Sequence, residues 1–503
     1  MASLIGNDTP YPPALDAEAS EALTTALRDW ALTHGLVIRA PVSQGALADE
    51  SALYVPHTLF PSPFPRRLFD EARGIMVAFN ELYVRVADDT GFIEEITAEL
   101  AGVDDFVEGL WKVYKEVQAE TNGIPTQPLS LGVFRSDYLL HVPTPTTPPS
   151  LRQVELNTIS ASFGGLSSRV ADAHIFARKA GLYPESEVLV EANMPENPSA
   201  RGIARGIACA HEAYCAAAGV KGTDAIVLFI VQPGERNAFD QRWIEYYLLE
   251  AHAVRSVRAT MFDIDTDATV DPVTKKLHYK NHPPVSVAYY RSGYTPTDYP
   301  PNDPAPWRAR KIVELSDAVK CPTLATQFAG AKKVQQVLVD QSVLARYTSS
   351  PETATALRAT FAEILPLDKD SPGGVRAREL IRAAPQKYVL KPQREGGGNN
   401  VYKDKIPGFL ESLPDESYWK GYILMELIEP PADVTNSIMR AGDVKSGPVV
   451  SELGIFGCVL WDSSTHEVKE NFEAGWLLRT KFAESEEGGV AAGFGSIDSV
   501  LLV

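Results

Sequence analysis

Cysteine is scarce in the sequence, with four residues in 503, and no two of them form a C-x-x-C pair. A disulfide framework, a zinc knuckle and a thioredoxin-type motif are therefore not predicted, and we interpret each cysteine as a small buried apolar residue. Basic residues are in the minority too: 47 Lys and Arg stand against 65 Asp and Glu, a formal net charge of −18. This balance argues against a nucleic-acid partner and against adhesion to an anionic membrane.

Long apolar runs are also missing. The longest extends from Ala225 to Val231, which is far short of the ~20 residues that a transmembrane helix needs. The N-terminal residues, M-A-S-L-I-G-N-D-T-P, have no basic segment followed by an apolar stretch, so no secretory signal is predicted. We expect a soluble, cytoplasmic, globular protein of two or three domains.

Several catalytic motifs are absent as well. The sequence has no G-x-x-x-x-G-K-[ST], which excludes a P-loop, and no G-x-G-x-x-G after a strand pattern. It also lacks H-E-x-x-H and G-x-S-x-G, and its nine histidines show no metal-ligand spacing. The usual zinc and serine-hydrolase chemistries are therefore unsupported.

Patterns of helix and strand alternate along the chain, which predicts an α/β class with α+β elements. Helices are predicted over 16–34, 67–120, 200–218, 239–251 and 331–347. Strands are predicted over 152–159, 225–232, 254–261, 285–290, 387–391, 421–428, 448–458 and 472–481. In the strand 152–159 we place Gln153, Glu155 and Asn157 on one face. The βαβ-like order in 225–330 favours a compact domain there.

The first candidate site is K-P-Q-R-E-G-G-G-N-N, residues 391–400, directly after a predicted strand. Three glycines allow backbone N–H groups to approach an anion closely and permit positive φ. Lys391 can place its ammonium on a phosphate, and Glu395 can hold a magnesium ion. The motif therefore indicates a nucleotide triphosphate site; the alternative is a flexible hairpin tip.

The second candidate site is E-L-N-T-I-S-A-S-F-G-G, residues 155–165. Glu155 and Asn157 offer hard oxygen ligands for magnesium, which Glu395 would complete. The serines and Gly164-Gly165 after them open a turn of hydroxyl and amide donors suited to a carboxylate or an acyl phosphate. The alternative is a polar strand face followed by a helix cap.

The third candidate site is L-L-R-T-K, residues 477–481, with E-E-G-G-V-A-A-G at 486–493. Arg479 can bind a carboxylate through two hydrogen bonds, and the Gly/Ala-rich run has the composition of a mobile lid. The alternative is a surface strand with a loose loop. From the residues alone we infer an ATP- and magnesium-dependent enzyme without a P-loop, with a phosphotransferase as the alternative.

Taken together, the motifs resemble those of the eukaryotic-type glutathione synthetase family. The stretches that carry the resemblance are, in the family's order, E-L-N-T-I-S-A-S-F-G-G-L, E-R-N-A-F-D-Q, A-T-Q-F-A-G-A-K-K-V-Q-Q, K-P-Q-R-E-G-G-G-N-N, S-E-L-G-I-F-G and L-L-R-T-K…G-G-V-A-A-G. The resemblance runs from about residue 15 onward. It implies a permuted ATP-grasp fold with a body at 1–225 and 331–503, an inserted parallel-sheet substrate domain at 226–330 and a lid at about 365–450.

The resemblance also implies the reaction and the residues that carry it. The family joins γ-glutamylcysteine to glycine with ATP and two Mg²⁺ ions, as a cytosolic homodimer. The implied catalytic residues are Lys332, Lys391, Arg479 and Ser162, and the metal ligands are Glu155, Asn157 and Glu395. The implied ATP contacts are Lys332, Lys391, Gly396, Gly397, Gly398, Asn400, Tyr402, Met425, Glu426, Leu427, Ile428, Glu452, Lys481 and Glu487. The implied substrate contacts are Arg135, Ser160, Ser162, Glu235, Arg236, Asn237, Gln241, Arg291, Ser292, Gly293, Tyr294, Arg479, Val490 and Ala491.

Two positions depart from the family pattern. Leu427 stands where a lysine is common, and Glu487 stands where an aspartate precedes the Gly-Gly pair, which leaves the role of Glu487 open. Ala491-Ala492 favours glycine over β-alanine as the acceptor. A sister ligase for β-alanine is one alternative, and a catalytically silent ATP-binding protein is another; retention of every proposed cation and metal ligand argues against the second.

Overall fold

The computed structural model describes residues 4, 11–40, 51–144, 146–486, 489–490 and 495–503. The α-helices are α1 Ala17–Thr33, α2 Arg66–Asp88, α3 Thr90–Ala101, α4 Asp105–Thr121, α5 Gly164–Lys179, α6 Ser199–Ala218, α7 Ala238–His252, α8 Met261–Asp267, α9 Ala305–Glu314, α10 Leu324–Ala329, α11 Lys332–Leu338, α12 Gln341–Arg346, α13 Pro351–Thr360, α14 Pro372–Ala383 and α15 Lys405–Glu411. Short 3-10 turns lie at Glu191–Asn193, Gly222–Asp224, Pro296–Asp298, Pro385–Lys387 and Glu416–Gly421.

The β-strands lie among these helices, which gives the predicted mixed α/β fold. They are β1 Val37–Arg39, β2 Ala52–Tyr54, β3 His57–Thr58, β4 Ser62–Phe64, β5 Leu129–His141, β6 Ser150–Asn157, β7 Ile226–Ile230, β8 Ser256–Ala259, β9 Ala268–Val270, β10 Leu277–Tyr279, β11 Val285–Tyr290, β12 Val319–Cys321, β13 Ile364–Leu365, β14 Tyr388–Pro392, β15 Val401–Tyr402, β16 Tyr422–Glu426, β17 Thr435–Arg440, β18 Asp443–Asp462, β19 Glu467–Phe482, β20 Ser496–Asp498 and β21 Val500–Leu502.

The largest sheet of the described residues has eleven strands in the order β17-β3-β20-β19-β18-β5-β12-β11-β7-β8, with β6 also paired to β5. Its centre is antiparallel, because β5 runs against both β18 and β6. One wing, β12-β11-β7-β8, is parallel to β5. Four of the strands in 226–330 therefore extend the same sheet that carries β5 and β18, whereas β9 and β10 pair with each other in a separate two-stranded sheet.

Both faces of this sheet are covered by helices. Ile226, Leu228 and Ile230 of β7 enter one hydrophobic core together with side chains of α2, whereas Val227 and Phe229 enter another with α5 and α6. A strand buried on both faces has no polar side to show, which explains the uninterrupted apolar run in the sequence. A parallel strand was predicted from that run, and the prediction is confirmed.

A second, four-stranded antiparallel sheet has the order β13-β16-β14-β15. Helices α14 and α15 supply Ala377, Ile381, Ile406 and Leu410 to its own core. The strand β14 in its interior carries Lys391. This unit falls within the predicted lid, about 365–450; the domain boundaries themselves stay a prediction.

The helical prediction for 67–120 resolves into three helices because two aspartates begin new ones. Asp89 accepts from Phe92 N at 3.0 Å, and Asp104 accepts from Phe106 N and Val107 N, both at 3.0 Å. Such N-caps satisfy amides that have no partner within the helix. The single helix predicted over 331–347 is wrong for the same reason: Asp340 caps α12, so α11 ends before it.

The alternation predicted for 152–159 is wrong at Gln153. Glu155 pairs with Asp137 but Gln153 pairs with Tyr138, so Val154 is an extra residue in a β-bulge. A bulge reverses the face that earlier residues present, and Gln153 Nε2 accordingly donates to Ser136 Oγ at 2.7 Å on the other side. Glu155 and Asn157 do share a face, as predicted.

The structure also bears on the expectations for the four cysteines and for transmembrane helices. Cys215, Cys321 and Cys458 are buried, Cys209 is half-buried, and all four thiols are free. None of the helices in the described ranges combines the length and apolarity that a membrane crossing requires.

Candidate active site

Lys332 lies between two of the predicted metal ligands. Its Nζ donates to Glu395 Oε1 at 2.6 Å and lies 3.2 Å from Glu155 Oε2. The lysine is the first residue of α11, Glu155 is near the end of β6, and Glu395 follows β14. Three segments that are distant in sequence thus meet at one ammonium group, which is 4% exposed.

The charges of this group shift each other's pKa values. Burial alone would lower the pKa of Lys332, but the two carboxylates outweigh it and raise the pKa above its usual value. Burial would raise the pKa of Glu155, yet Lys332, Lys391 and Arg479 hold it well below the usual range. The pKa of Glu395 is raised, because burial outweighs the attraction of Lys332. Lys332 and Glu155 therefore form a charged pair at neutral pH.

Lys391 lies beside Lys332 and its two glutamates, and it forms a hydrogen bond with the bulge in β6. Its Nζ donates to the carbonyl oxygen of Val154 at 2.8 Å. That carbonyl belongs to the extra residue of the bulge and is free of the strand pairing, as is common where an extra residue interrupts a ladder. Burial lowers the pKa of Lys391, and Glu155 offsets part of that shift.

A second cluster has Asp137 at its centre. Arg135 Nε donates to Asp137 Oδ1 at 2.6 Å, and Arg135 Nη2 donates to Oδ2 at 2.8 Å. Asn157 Nδ2 and Arg479 Nη2 donate to the same Oδ2 at 3.1 and 3.2 Å. Arg479 also donates to Glu452, its direct neighbour across β18 and β19, and these carboxylates outweigh burial to raise its pKa.

The turn after β6 is fixed by the arginine that follows β11. Arg291 donates through Nη1 to Ala161 O and through Nη2 to Ser162 Oγ, both at 2.8 Å. Arg135 Nη1 donates to Ser162 O at 3.0 Å. Ser160 has φ +52° and donates from Oγ to Tyr290 O at 3.1 Å. The candidate substrate residues Arg135, Ser160, Ser162 and Arg291 are thus brought together.

Three backbone amides at the end of that turn already have a hydrogen-bond partner within the protein. Asp240 accepts from Phe163 N at 2.8 Å, from Gly165 N at 2.7 Å and from Leu166 N at 3.0 Å. The carboxylate of α7 thereby caps the N-terminus of α5. For these three amides the expectation that they receive a carboxylate or an acyl phosphate is wrong, because a carboxylate of the protein already occupies them; for the serines of the turn it stays a prediction.

The loop after β7 forms its own network. Glu235 accepts from Asn237 N at 2.7 Å and from Gln241 Nε2 at 2.9 Å, and Arg236 donates from Nε to Arg39 O at 3.3 Å. The Asn237 Nδ2 group donates to Asp240 at 3.3 Å. Ligands of open α/β sheets bind outside the carboxyl ends of such strands, where this loop and the one after β11 both lie.

Comparisons with known proteins agree with this geometry. The model of the family described as "Eukaryotic glutathione synthase, ATP binding domain" matches residues 17–502. The chain is 38% identical to the glutathione synthetase large chain of Schizosaccharomyces pombe, over 96% of this chain and 98% of that one. It is 38% identical to glutathione synthetase of Homo sapiens, over 96% of this chain and 97% of the human protein. The chain belongs to the eukaryotic glutathione synthetase family. Its activity is accordingly the glutathione synthesis of an ATP-dependent ligase.

The fold agrees with that of a solved structure. A glutathione synthetase-like effector, GSS30 from Globodera pallida in its apoform, superposes with a TM-score of 0.74 at 21% identity. The match covers 97% of this chain and 98% of that one. At this identity the likeness shows the fold alone.

Several residues that the glutathione synthetase resemblance assigns to ATP lie on the four-stranded sheet and its loop. Gly396, Gly397 and Gly398 have φ of +96°, +71° and +76°, a conformation that glycine adopts at little cost. Asn400 Nδ2 donates to Tyr402 Oη at 3.2 Å, and Met425 pairs with Val389. The hinge residues Glu426, Leu427 and Ile428 end and follow β16.

The remaining predicted residues lie at three places. Ser292 Oγ donates to Ile230 O at 3.3 Å, while Gly293 N and Tyr294 N donate to Asp298 at 2.8 and 3.2 Å. Lys481 Nζ donates to Glu486 O at 2.7 Å. Val490 is buried, but Glu487 and Ala491 lie outside the described residues.

The residues present fit a magnesium ion. Glu155 and Glu395 both contact the same cationic nitrogen, so their oxygens already converge on one positive charge. Among the described residues, both hydrogen bonds of the Asn157 side chain use Nδ2, which leaves its Oδ1 for a ligand role. Hard oxygen donors of this kind suit Mg²⁺. No group of three His, Cys, Asp or Glu with metal-site geometry occurs in the described ranges.

Sequence reasoning missed two residues of the site. Asp137 joins both arginines to Asn157, and Asp240 fixes the serine turn. The spacing Arg135-Ser-Asp137 was a usable signal for the first, because residues two apart share a face of a strand. For Asp240, the short E-R-N-A-F-D-Q motif gave no indication of a cap for a helix that begins 76 positions earlier.

Proposed function

We propose that the chain joins γ-glutamylcysteine to glycine through an acyl phosphate, with ATP as co-substrate. The observation that carries this proposal is the convergence of Lys332, Lys391 and Arg479 with three oxygen donors: Glu155 and Asn157 on β6, and Glu395 in the loop after β14. A phosphotransferase would need the cations and the metal ligands, but not a guanidinium cluster beside them. The arginines supply a place for the carboxyl group of a peptide substrate.

The chemistry follows from charge. A carboxylate is a poor acyl donor because oxide is a poor leaving group, and transfer of the ATP γ-phosphoryl group replaces it with phosphate. Negative charge then grows on phosphoryl oxygens and, as the glycine amine attacks, on the tetrahedral carbon. Lys332 and Lys391 are placed to stabilise the first, and Arg479 the second.

We propose that two Mg²⁺ ions are held by Glu155, Asn157 and Glu395. Bound there, the ions would neutralise charge on the ATP phosphates. Lys332, whose single positive charge is shared between both glutamates in the described structure, is placed to contact a phosphate oxygen as well. The lysine thus keeps the two carboxylates close together before any ligand arrives.

The substrate contacts are proposed from the resemblance and supported by position. Arg135, Ser160, Ser162, Arg291 and the 292–294 loop surround one end of the sheet, and Glu235, Arg236, Asn237 and Gln241 border it. We assign γ-glutamylcysteine to this area and glycine to the neighbourhood of Arg479, with Val490 and Ala491 on the lid side. Lys481, Glu452, Tyr402, the glycine loop and the Met425–Ile428 hinge are assigned to ATP.

Water must be excluded, since an acyl phosphate hydrolyses readily. We propose that the glycine loop 396–398 and the 486–493 segment close over the reactants, which is the usual task of such loops. The domain boundaries at 225/226 and 330/331, the homodimer and the cytoplasmic location are further proposals; their support is the resemblance to the family.

The decisive experiment measures phosphate release by the purified chain with ATP, Mg²⁺ and γ-glutamylcysteine, adding glycine, β-alanine or no acceptor. We expect release that depends on glycine, with one tripeptide per phosphate. A preference for β-alanine would keep the mechanism and correct the product. Binding of ATP without release, whichever acceptor is added, would identify a silent ATP-binding protein and overturn the proposal.

A further inference from the structure

Asp137 lies at the centre of the second cluster of the site. The side chain is 1% exposed and accepts hydrogen bonds from three residues on three different strands: Arg135 on β5, Asn157 on β6 and Arg479 on β19. Each of those three belongs to the proposed metal or substrate machinery. One carboxylate therefore links the metal side of the site to the acceptor side.

The fold makes room for this link with a glycine. Gly454 of β18 lies opposite Asp137 in the register and opposite Leu477 on β19. A Cβ at position 454 would lie 2.6 Å from Asp137 Oδ1 and 2.8 Å from Arg135 Cδ. A glycine inside a strand commonly marks such a close approach. Because Gly454 has no side chain, Arg135 and Asp137 of β5 can extend across β18 toward Arg479.

The chemistry of the contact fixes the amide of Asn157. An ionised carboxylate only accepts hydrogen bonds, whereas an Asn side chain has one donating end and one accepting end. Asn157 must therefore present Nδ2 to Asp137, and its Oδ1 is turned away from Asp137. An oxygen, not a nitrogen, is the ligand that Mg²⁺ prefers.

The same carboxylate restricts Arg479. That guanidinium contacts Asp137 on β5 and Glu452 on β18, so two carboxylates hold it from different strands. Arg135 takes up both oxygens of Asp137 in a two-pronged contact, which gives geometric specificity as well as energy. Loss of Asp137 would leave Arg479 tied to Glu452 alone.

We propose that Asp137 is a positioning residue that orients Asn157 for metal binding and Arg479 for the acceptor. This inference rests on the proposed function, because the roles of Asn157 and Arg479 do. Asp137 itself does not react. Its carboxylate holds the neighbouring side chains in position through hydrogen bonds. Outer partners of metal ligands typically change metal affinity or activity by roughly 10–100-fold when they are replaced.

The test compares Asp137→Asn with the matched control Asp88→Asn, whose carboxylate is 10% exposed and bonded to Trp461 and His466 away from this site. Mn²⁺ binding, measured by electron paramagnetic resonance with a non-hydrolysable ATP analogue, needs no turnover. We expect Mn²⁺ affinity to fall by roughly 10–100-fold in Asp137→Asn and to stay at the wild-type value in the control. The KM for γ-glutamylcysteine or glycine should rise more than the KM for ATP.

Folded Asp137→Asn with wild-type Mn²⁺ affinity and wild-type substrate KM values would overturn the inference, as would a loss of thermal stability with no change in either. Should that variant fail to fold, Asp137→Glu keeps the charge but displaces the carboxyl group by one methylene. It is expected to show the same fall in Mn²⁺ affinity, and a larger rise in the KM for γ-glutamylcysteine or glycine than in the KM for ATP; wild-type values for all of these would count against the inference.

A swap tests the orientation directly. In the double variant Asp137→Asn/Asn157→Asp, a donor again faces an acceptor, and position 157 again offers oxygen. Mn²⁺ affinity should recover relative to Asp137→Asn; no recovery would overturn the orientation argument. Wild-type protein that binds Mn²⁺ but forms no tripeptide would instead refute the proposed function, while the Mn²⁺ comparison still decides the role of Asp137.

Discussion

Lys391 is a buried charged residue whose surroundings indicate a role in binding an anion. Its side chain is 4% exposed and donates to a backbone carbonyl, and burial lowers its pKa even though Glu155 lies nearby. A lysine in such a place is costly to fold unless an anion arrives. The sequence motif predicted this lysine and Glu395, because a strand followed by glycines is a local pattern.

Replacing Lys391 by Met should leave the fold intact and sharply reduce turnover. Loss of one preorganised donor to developing negative charge costs about 2.7–4 kcal/mol, or roughly 10²–10³ in kcat. Steady-state kinetics and thermal unfolding check this, with Lys112→Met on exposed α4 as the control. Normal activity in a folded Lys391→Met variant would contradict the phosphate role.

Replacing Arg479 by Ala should impair use of the acceptor more than binding of ATP. The guanidinium donates from Nη2 both to Asp137, which also binds Asn157, and to Glu452, and the proposed function places the acceptor beside it. KM values for glycine and ATP, measured beside those of the exposed-site variant Arg67→Ala, separate the two. An equal rise in both KM values would mean that Arg479 aligns ATP instead.

Asp137 marks the limit of prediction at this scale. Its contact with Arg479 joins positions 342 apart in sequence, and no local pattern specifies that β19 lies two strands from β5. The cations were recognisable because each stands in a motif of its own. Asp137, which contacts both Arg135 and Arg479, became visible only with the strand pairing.

Among the elements, the start of α5 is the most constrained. Asp240 of α7 binds three amides there, and a Cβ at Gly165 would lie 2.3 Å from Asp240 O. Element types and approximate limits were predictable from periodicity and caps. The break at Asp340 and the bulge at Val154 were not, because a cap within a helical pattern and one extra strand residue leave the apolar spacing almost unchanged.

Gly165→Ala should destabilise the protein, whereas Gly74→Ala should stabilise it. The first places a methyl group against backbone that cannot move aside, at a cost of about 1–3 kcal/mol. The second lies in the interior of α2 with nothing within 4 Å of the added Cβ, so it gains about 0.5–1 kcal/mol from helix propensity. Urea unfolding of both variants measures the difference; equal effects would contradict the close approach of α7.

The molecule as a whole is held together by pairings between distant parts of the chain. Asp498 on β20 accepts from Thr58 Oγ1, Ser62 Oγ and Thr480 Oγ1, each at 2.6 Å. His174 on α5 joins the same buried cluster: its Nε2 donates to Thr58 O at 2.8 Å, and its Nδ1 accepts from Ser499 Oγ at 2.7 Å. The strand β6 and the parallel wing were predictable, but the order in which strands from opposite parts of the chain pair was not.

The stability of this cluster should depend on pH. Burial raises the pKa of Asp498 to about 6, above the ~3.9 of an unfolded chain, so the folded state holds the proton more tightly. The ionised carboxylate of Asp498 therefore destabilises the folded state fully above pH 6. Protonation removes this destabilisation as the pH falls toward 4. At about 1.4 kcal/mol per pKa unit, its contribution changes by on the order of 3 kcal/mol.

Urea unfolding of wild type and Asp498→Asn at several pH values between 4.5 and 7 measures how Asp498 contributes to the free energy of unfolding. Burial lowers the pKa values of His57 and His174 to about 4 and about 3, which acts in the opposite direction, but both proteins share it. The unfolding free energy of wild type minus that of the variant should rise as the pH falls. A difference independent of pH would contradict the assignment.

The pairing of β5 with β18, and of β18 with β19, has a consequence for synthesis of the protein in the cell. Asp137 leaves the ribosome more than 300 residues before Arg479, so the edge of β5 waits unpaired while the intervening chain is made. Exposed strand edges of this kind invite association with other chains. We expect ribosome-bound intermediates shorter than about 480 residues to lack the completed site and to be clients of chaperones.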